Sequence, residues 1–351
     1  MRGAVYHGPR DIRVEEVADP EPTQGEVLLR VARNGICGSD LHTYVGSDTG
    51  GAAMHVPGVV LGHEFSGTII GLGDGVEDLS SGTDVVVAPI EYCGQCWGCL
   101  HAEPNMCRKV AIYGGYRRPL HGGLAPFVAV SRRSVFAVPA GLDVNVAALA
   151  EPVAVAVHAV RRAPQTLGAS VLILGAGPIG LAVMQSVMAG GASTIIVSEM
   201  SQARRDAAVR LGATVVVDPR VERPRTAARD LTSWGVDIVF DTTGVHAAFN
   251  EGIACLRPHG TMVSVAGWQE FAHVDMGLSM SKEIDIRFAI TYVPEIDFPI
   301  ALSLLASGGI DGRALISDHI ALDHVVDMGL EELLHHSDQH IKILVDPSSV
   351  G

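Results

Sequence analysis

Four cysteines lie close together in the sequence: Cys93, Cys96, Cys99 and Cys107. Four thiolates fill the tetrahedral shell of a zinc ion and leave no open position, which is typical of a structural zinc site. Cysteines separated by two residues rarely reach disulfide geometry, and the N-terminal residues lack the pattern of a secretory signal. We therefore expect a cytoplasmic protein with a structural zinc, and an iron–sulfur cluster is the weaker alternative.

A second, looser set of metal ligands combines Cys37, the neighbours His63 and Glu64, and Glu151. A thiolate, an imidazole and carboxylates can hold zinc while one coordination position stays open for water or substrate. Catalytic zinc requires such an open position, because the ion must reach the oxygen that it polarises. The two sets together predict a zinc enzyme that carries one catalytic and one structural zinc per chain.

The composition limits the classes of function. At 351 residues the chain exceeds the usual size of a single core, so we expect two domains. Its net charge of −14 argues against a nucleic-acid partner. Residues 163–198 contain no charged side chain and exceed the ~20 apolar residues of a membrane span. Pro178 and six glycines interrupt this stretch, which therefore predicts a buried strand–helix–strand unit and no membrane partner.

The apolar pattern divides the chain into two kinds of structure. Up to residue 138, short apolar runs without a sustained helical period predict a β-rich, barrel-like domain. Beyond about residue 143, strands and helices alternate, which predicts a doubly wound, parallel α/β sheet. The expected strands are 171–175, 193–198, 214–217, 236–240, 260–266 and 284–289, and the expected helices include 147–163, 202–211 and 245–256.

These patterns suggest three segments. We expect a catalytic zinc-binding domain at 1–150, a dinucleotide-binding domain at 151–290, and a return segment at 291–351 that completes the catalytic domain. The return segment has mixed character. It ends in the apolar run 342–346, which predicts a strand that folds back onto the first domain.

A glycine-rich loop follows the first strand of the second domain. Gly175, Gly177 and Gly180 form a GxGxxG pattern between an apolar strand and a helix, and in this context the pattern predicts a dinucleotide site. The helix would begin at Pro178 and Ile179 and present free amides to the pyrophosphate of the coenzyme.

Glu199 ends the following strand, where a carboxylate can accept hydrogen bonds from the ribose hydroxyls of the coenzyme. Such a carboxylate repels a 2′-phosphate, so we expect NAD in preference to NADP. The nearby Arg204 and Arg205 leave NADP open as the alternative, and Arg204 is one of the expected coenzyme-binding residues.

These motifs follow each other along the chain in the same order as in one known protein family. The motif CGSDLH at 37–42, the motif GHE at 62–64 and the cysteine and glycine-rich loops resemble the medium-chain, zinc-dependent alcohol dehydrogenases over essentially the whole chain. The pair Glu151-Pro152 resembles the polyol branch, and the stretch 240–268 is most similar to butanediol dehydrogenases. The resemblance implies a GroES-like barrel domain beside a Rossmann coenzyme domain, and a homo-oligomer that is a dimer or a tetramer.

The resemblance also implies roles for single residues. Cys37 and His63 would be fixed ligands of the catalytic zinc. Glu64 and Glu151 are alternatives for the remaining protein ligand, and the other one would contact the water of the zinc or lie just behind the ligands. Asp40 would orient the ligand histidine from behind.

Ser39, a ribose hydroxyl and His42 would carry the proton to solvent. By itself His42 would be interpreted as a surface histidine, and its spacing from Ser39 and Cys37 favours the relay. Residues 47–55 would line the substrate mouth, and Cys255 would be a small buried thiol.

The implied reaction is hydride transfer between NAD(H) and a small secondary alcohol or diol, with 2,3-butanediol and acetoin as the first pair. Sorbitol- and threonine-type dehydrogenases are the alternatives among enzymes. A nucleotide-sensing relative without catalysis is the alternative from another class. The complete set of zinc ligands and relay residues favours an enzyme, because a sensor needs neither.

Overall fold

The computed structural model describes residues 1–46, 55–268 and 271–349. Its strands are β1 (Arg2–Gly8), β2 (Asp11–Glu16), β3 (Glu26–Gly35), β4 (Val59–Val60), β5 (Glu64–Leu72), β6 (Asp84–Val87), β7 (Ile90–Glu91), β8 (Ala111–Ile112), β9 (Phe127–Ser131), β10 (Val135–Ala137), β11 (Ser170–Leu174), β12 (Thr194–Ser198), β13 (Val215–Val217), β14 (Val236–Asp241), β15 (Leu256–Ser264), β16 (Asp285–Phe288), β17 (Ile316–Ala321) and β18 (Lys342–Asp346). Its α-helices are α1 (Gly38–Val45), α2 (Trp97–Leu100), α3 (Val144–Ala147), α4 (Ala150–Arg162), α5 (Pro178–Ala189), α6 (Gln202–Arg210), α7 (Pro224–Thr232), α8 (His246–Cys255), α9 (Met276–Ser281), α10 (Pro294–Ser307) and α11 (Glu332–His336).

The coenzyme domain is built on a parallel sheet with the strand order β13-β12-β11-β14-β15-β16. Its central strands are continuous apolar runs because helices cover both faces of the sheet. Leu172 of β11, for example, is paired with Ile196 of β12 and Val239 of β14. The strand order changes direction at β11, and dinucleotides bind at the carboxyl end of such a strand.

The first domain is built mainly on antiparallel strands. Its larger sheet has the order β10-β6-β5-β3-β18-β17, with β9 also paired to β3, and a smaller sheet has the order β2-β1-β4. The C-terminal strand β18 pairs with β3 through Leu344 opposite Gly35 and Val345 opposite Asn34. The end of the chain therefore completes the first sheet.

Helix α4 connects the first domain to the coenzyme sheet. It packs against α5 and α10, and Val153 on α4 shares one apolar core with Val86 of β6 and Val171 of β11. Since side chains from both domains bury this helix, its first turn is held in a fixed position between them.

The expected strands of the coenzyme domain are all present, although β15 begins at Leu256 rather than at residue 260. The expected helix 147–163 is instead two helices, α3 and α4. Asp143 starts α3 by accepting a hydrogen bond from the Asn145 amide at 2.9 Å. Helices α1, α2, α10 and α11 lie where no helix was expected. Helix α1 has eight residues, too few to establish a period, and α10 carries apolar residues on more than one face, so no amphipathic period marks it.

Within residues 1–46, 55–268 and 271–349, no helix combines the length and apolar character needed to cross a membrane. The uncharged stretch 163–198 forms β11, α5 and β12, as the sequence predicts.

Candidate active site

Three of the predicted catalytic zinc ligands form one cluster. The Cys37 thiol, a His63 ring nitrogen and a Glu64 carboxylate oxygen all lie within 4.8 Å of one another. Cys37 follows β3, whereas His63 and Glu64 lie at the start of β5, and the pairing of these strands sets Gly35 opposite Glu64. The register of the sheet therefore brings together ligands that are distant in sequence.

Asp40 fixes the orientation of this cluster. Its carboxylate accepts a hydrogen bond from the Cys37 amide at 2.9 Å, which also caps α1. The other carboxylate oxygen lies 3.5 Å from Nδ1 of His63. This position behind the imidazole leaves Nε2 of His63 on the side of the cluster, as expected for an orienting carboxylate.

Glu64 contacts a residue that the sequence analysis did not identify. Nζ of Lys342 lies 2.8 and 2.7 Å from the two carboxylate oxygens of Glu64 and donates to the Ile36 carbonyl at 2.9 Å. Glu64 is 1% exposed and Lys342 is 3% exposed. A side chain at Gly35 would collide with the Glu64 carboxylate. The ion pair fixes the position of Glu64, and its oxygens keep further lone pairs for a metal.

Glu151 lies in the first turn of α4, next to the cluster. Burial raises the pKa of Glu151 to about 7, with His63 and Lys342 lowering this pKa and Glu64 raising it. Its carboxylate lies outside the group of three mutually close ligand atoms. Both candidate carboxylates therefore lie at the site, and the Glu64 oxygen belongs to the ligand cluster whereas the Glu151 carboxylate lies outside it.

The charges of this pocket suit a divalent cation. Its acidic groups are Cys37, Asp40, Glu64 and Glu151, and Lys342 is the cation paired with them among the described residues. Burial lowers the pKa of His63, yet Asp40 and Cys37 outweigh burial and raise this pKa well above its usual value. Buried negative charge destabilises a protein unless cations balance it. The sulfur, nitrogen and oxygen donors present here fit zinc.

The two predicted relay residues lie one turn apart on α1. Oγ of Ser39 is 3.3 Å from Nε2 of His63, so the hydroxyl is adjacent to the zinc ligands. His42 is half-buried, and burial lowers its pKa. Residues three positions apart lie on the same face of a helix. Ser39 and His42 therefore lie on one face of α1, with Ser39 next to the zinc ligands.

The four-cysteine loop also has the geometry of a metal site. The sulfur–sulfur distances are 4.0 Å between Cys93 and Cys99, 3.6 Å between Cys96 and Cys99, and 3.6 Å between Cys107 and Cys93. A tetrahedron with Zn–S bonds of ~2.3 Å requires sulfurs about 3.8 Å apart. The backbone amides of Cys99 and Arg108 lower the pKa of Cys96 to about 6, which favours the thiolate. The loop therefore fits one zinc ion with four sulfur ligands.

The glycine-rich loop lies at the carboxyl end of β11, as predicted. Gly175 has φ of 91°, and a Cβ there would approach Oγ1 of Thr242 to 2.8 Å. A side chain at Gly180 would collide with the Gly175 carbonyl. Gly177 caps α5, whose first two residues are Pro178 and Ile179. Gly175 and Gly177 line a cavity of about 670 Å³, and of the first two residues of α5 Ile179 carries an N–H, since proline has none.

Glu199 lines the same cavity but already accepts two hydrogen bonds. Its carboxylate binds the amide of Ala176 in the glycine-rich loop and the amide of Ser201, each at 2.7 Å. Arg204 donates to the backbone carbonyls of Ser337 and His340. Glu199 therefore braces the loop, and Arg204 ties the coenzyme domain to the return segment.

Two residues of the site escaped the sequence analysis, namely Lys342 and Tyr292. The chain contains three lysines, and Lys342 is a charged residue at the start of an apolar strand pattern, a signal that could have identified it. Tyr292 is fully buried near Glu151 and belongs to no motif. Most of the predicted substrate mouth, residues 47–54, lies outside the described residues. Cys255 is buried, as predicted.

Comparison with known proteins agrees with this geometry. Residues 23–140 match the family described as the alcohol dehydrogenase GroES-like domain, and residues 178–307 match the zinc-binding dehydrogenase family. The sorbitol dehydrogenase of Bacillus subtilis (strain 168) is 32% identical, with 99% of this chain and 98% of the relative covered. The chain belongs to the medium-chain, zinc-dependent alcohol dehydrogenase family. It is an oxidoreductase with a GroES-like and a Rossmann domain, and zinc is its metal cofactor.

Other relatives of this dehydrogenase agree in fold but differ in name. The (R,R)-butanediol dehydrogenase of Bacillus subtilis (strain 168) is also 32% identical, over 99% of this chain and 100% of the relative. A solved structure from Sinorhizobium meliloti 1021, bound to NADP, has a TM-score of 0.90 at 30% identity and covers 99% of both chains. The predicted family and fold class are confirmed.

The four-cysteine loop generates the first prediction. Cys96→Ser is expected to lower the zinc content by one ion per chain and to destabilise the enzyme by at least ~2 kcal/mol, because a lost structural metal is a large perturbation. Cys255→Ala is the control, since this thiol lies in neither cluster. Metal analysis and thermal unfolding test both variants. A Cys96→Ser protein with the zinc content and Tm of the unmodified enzyme would contradict the assignment.

The Glu64–Lys342 pair generates the second prediction. Lys342→Met should destabilise the metal-free protein by about 3–5 kcal/mol, because it leaves a buried carboxylate without its cation. Replacing both residues, as Glu64→Gln with Lys342→Met, should recover part of that loss because neither charge remains. Urea unfolding of the metal-free proteins measures both effects. Equal stability of the single variant and the unmodified protein would show that the pair is not a structural constraint.

Proposed function

We propose that this dehydrogenase transfers a hydride between NAD(H) and a small vicinal diol or its hydroxyketone, with 2,3-butanediol and acetoin as the best pair. The observation that carries the proposal is the ligand cluster itself. Cys37, His63 and Glu64 converge on one point, and Glu151 adds a second buried carboxylate beside them. Two carboxylates at one site favour a substrate with more than one hydroxyl group, because each hydroxyl can donate a hydrogen bond to a carboxylate oxygen.

The residues of the chain divide the work of the reaction. Zinc, when bound, supplies a Lewis acid that makes the substrate hydroxyl easier to ionise. Cys37, His63 and Glu64 hold the ion, and Asp40 keeps His63 in its orientation. We assign Glu64 rather than Glu151 as the third protein ligand, because its oxygen is within 4.8 Å of the other two ligand atoms.

Proton transfer is the task of α1. Ser39 is adjacent to the cluster, 3.3 Å from His63, and its hydroxyl can both accept and donate a proton. His42 lies one turn further, and burial lowers its pKa, which favours a neutral imidazole able to accept the proton. The proton of the substrate would pass through Ser39 and a ribose hydroxyl to His42 and then to solvent.

The preference for NAD rests on Glu199. Each oxygen of its carboxylate accepts one backbone amide and keeps a lone pair for a ribose hydroxyl. The negative charge would repel a 2′-phosphate. Arg204 is committed to backbone carbonyls, and Arg220 is paired with Asp218 at 2.6 Å. These commitments support NAD even though a relative binds NADP.

A sorbitol-type reaction is the second candidate, because the sorbitol and butanediol relatives are equally similar at 32% identity. The smaller diol is preferred because the middle of the predicted substrate mouth, residues 50–54 (GGAAM), carries small or apolar side chains that offer a long polyol no polar partner. For the same reason we place threonine last, since its ammonium and carboxylate would need charged partners. We propose a cytoplasmic homo-oligomer.

Steady-state kinetics on a panel of alcohols tests the substrate. The stereoisomers of 2,3-butanediol, with acetoin in reverse, should be about 5- to 150-fold more efficient in kcat/KM than 2-butanol, since one more hydrogen bond contributes about 1–3 kcal/mol. Sorbitol and threonine should be poorer. Higher efficiency on sorbitol or threonine than on any butanediol isomer would contradict the substrate and leave the zinc dehydrogenase class intact.

Coenzyme kinetics test the role of Glu199. The unmodified enzyme should have the higher kcat/KM with NAD. Combining Glu199→Gln with Met200→Arg should shift the ratio toward NADP by about 10-fold or more, because one repulsion is removed and one attraction added. Glu199→Gln alone is the control, since it removes the charge and keeps an acceptor. Equal or better use of NADP by the unmodified enzyme would show that the carboxylate does not select the coenzyme.

A further inference from the structure

The coenzyme domain is attached to the return segment at residues 337–340, which we call the docking segment. This segment lies between α11 and β18. The side chains of Ser201 and Arg204, at the start of α6, donate hydrogen bonds to three of its backbone carbonyls, those of Ser337, Asp338 and His340. These bonds form together only when the segment keeps one backbone conformation, because three carbonyls must face the same helix.

The helix that docks here also supports the coenzyme cavity. Glu199 precedes α6, and its carboxylate accepts hydrogen bonds from the amides of Ser201 and of Ala176 in the glycine-rich loop, each at 2.7 Å. Arg204 lines the same cavity as Glu199. A continuous path of hydrogen bonds therefore runs from the glycine-rich loop through Glu199 and Ser201 to the docking segment. A shift of this segment would be transmitted along the path to the cavity.

The ring of His340 connects the docking segment to two carboxylates. Nδ1 lies 2.7 Å from a carboxylate oxygen of Asp318 on β17, and Nε2 lies 2.9 Å from one of Glu332 on α11. An ionised carboxylate only accepts hydrogen bonds, and a neutral imidazole has a single N–H group to donate. Both contacts are therefore hydrogen bonds only when His340 is an imidazolium.

The surroundings of His340 favour this charged form. Burial lowers the pKa of His340, yet the hydrogen bonds and charges of Glu332 and Asp318 outweigh burial and raise this pKa above its usual value. Helix α6 packs on the remaining side and presents Arg204, whose guanidinium contacts the His340 carbonyl. The two ring contacts are thus complete below the usual pKa of histidine, and one is lost as the pH rises through the raised pKa.

We propose that His340 is a positioning residue for the coenzyme site. Its imidazolium, held between Asp318 and Glu332, fixes the docking segment, and this segment keeps α6 and Glu199 in the position that binds the coenzyme. Loss of the ring proton frees one contact, loosens the segment and weakens coenzyme binding. The inference rests on the proposed function, in which the coenzyme is NAD(H), and it adds a residue that does not line the coenzyme cavity.

His340→Gln tests the proposal, because glutamine can donate to one carboxylate but cannot take up a proton. At about pH 6, below the usual histidine pKa of ~6.5, the Kd of the zinc-containing variant for NADH should be about 5-fold or more above that of the unmodified enzyme. The Kd of the unmodified enzyme should increase as the pH rises above neutrality, and the variant should lack this increase. Fluorescence titration with NADH measures both effects. A purely structural role would change the Tm but not this pH dependence.

His340→Arg is the rescue variant. A guanidinium stays charged at every accessible pH and can donate to two carboxylates at once. The Kd of this variant for NADH should stay within about 3-fold of that of the unmodified enzyme at pH 6, and it should not increase at alkaline pH.

His7→Gln is the matched control. Nε2 of His7 lies 3.1 Å from a carboxylate oxygen of Glu15, and this pair joins β1 to β2 in the first domain. The variant therefore removes a contact of the same chemical kind far along the chain from the docking segment. It should leave the Kd for NADH and the pH dependence of this Kd unchanged.

The outcomes separate the proposed function from the role of His340. If the unmodified enzyme binds NADPH as tightly as NADH or more tightly, the proposed coenzyme is wrong, and the same titrations with NADPH decide the role of His340. If His340→Gln keeps the Kd and the pH dependence of the unmodified enzyme, the role of His340 is overturned. A His340→Gln protein that loses zinc would show an effect through Lys342 and the metal ligands and would also overturn the inference.

A His340→Gln protein that fails to fold transfers the decision to His340→Arg. Tight binding of NADH without pH dependence in this variant would then support the inference. The same increase of the Kd at alkaline pH as in the unmodified enzyme would contradict it, because the titrating group would be another residue.

Discussion

An excess of buried negative charge governs the architecture of this enzyme. A thiol and three carboxylates converge in a region from which water is largely excluded, where charge is costly unless it is balanced. The fold supplies one permanent cation, Lys342, whose ammonium contacts both oxygens of Glu64. The remaining imbalance gives the pocket its affinity for a divalent ion. The ligand set therefore selects zinc by donor type and attracts it by charge.

The metal-ligand cluster and the glycine-rich loop are connected by a short, continuous part of the chain. Glu151 begins α4, and the strand that follows α4 ends at the glycine-rich loop. One helix and one strand thus separate a carboxylate at the metal-ligand cluster from the backbone that we propose binds the coenzyme. Because α4 is packed from both domains, small shifts of the loop relative to the ligands are resisted. Hydride transfer depends on such fixed geometry, since reacting atoms must be held at close range.

The sequence predicted features that depend on neighbouring residues. The strands of the coenzyme sheet were identified because they are continuous apolar runs, and the four-cysteine loop was identified because its ligands follow each other closely. Helix α1 was missed because eight residues do not establish a period. Lys342 and Tyr292 were missed because their partners, Glu64 and Glu151, are remote in sequence and only the sheet register and the packing of α4 bring them together. Interactions of that kind leave no local pattern to recognise.

The location of Lys342 also sets an order in which the site can be assembled. Glu64 and Lys342 are separated by 278 positions, so on the ribosome β3 and β5 emerge long before β18. Contacts between such distant segments form late in folding. Until then the Glu64 carboxylate has no lysine, and the edge of β3 that β18 covers stays open. A truncated translation product that ends before β18 would therefore bury the Glu64 carboxylate without its cation and leave the end of β3 without a strand partner on that side.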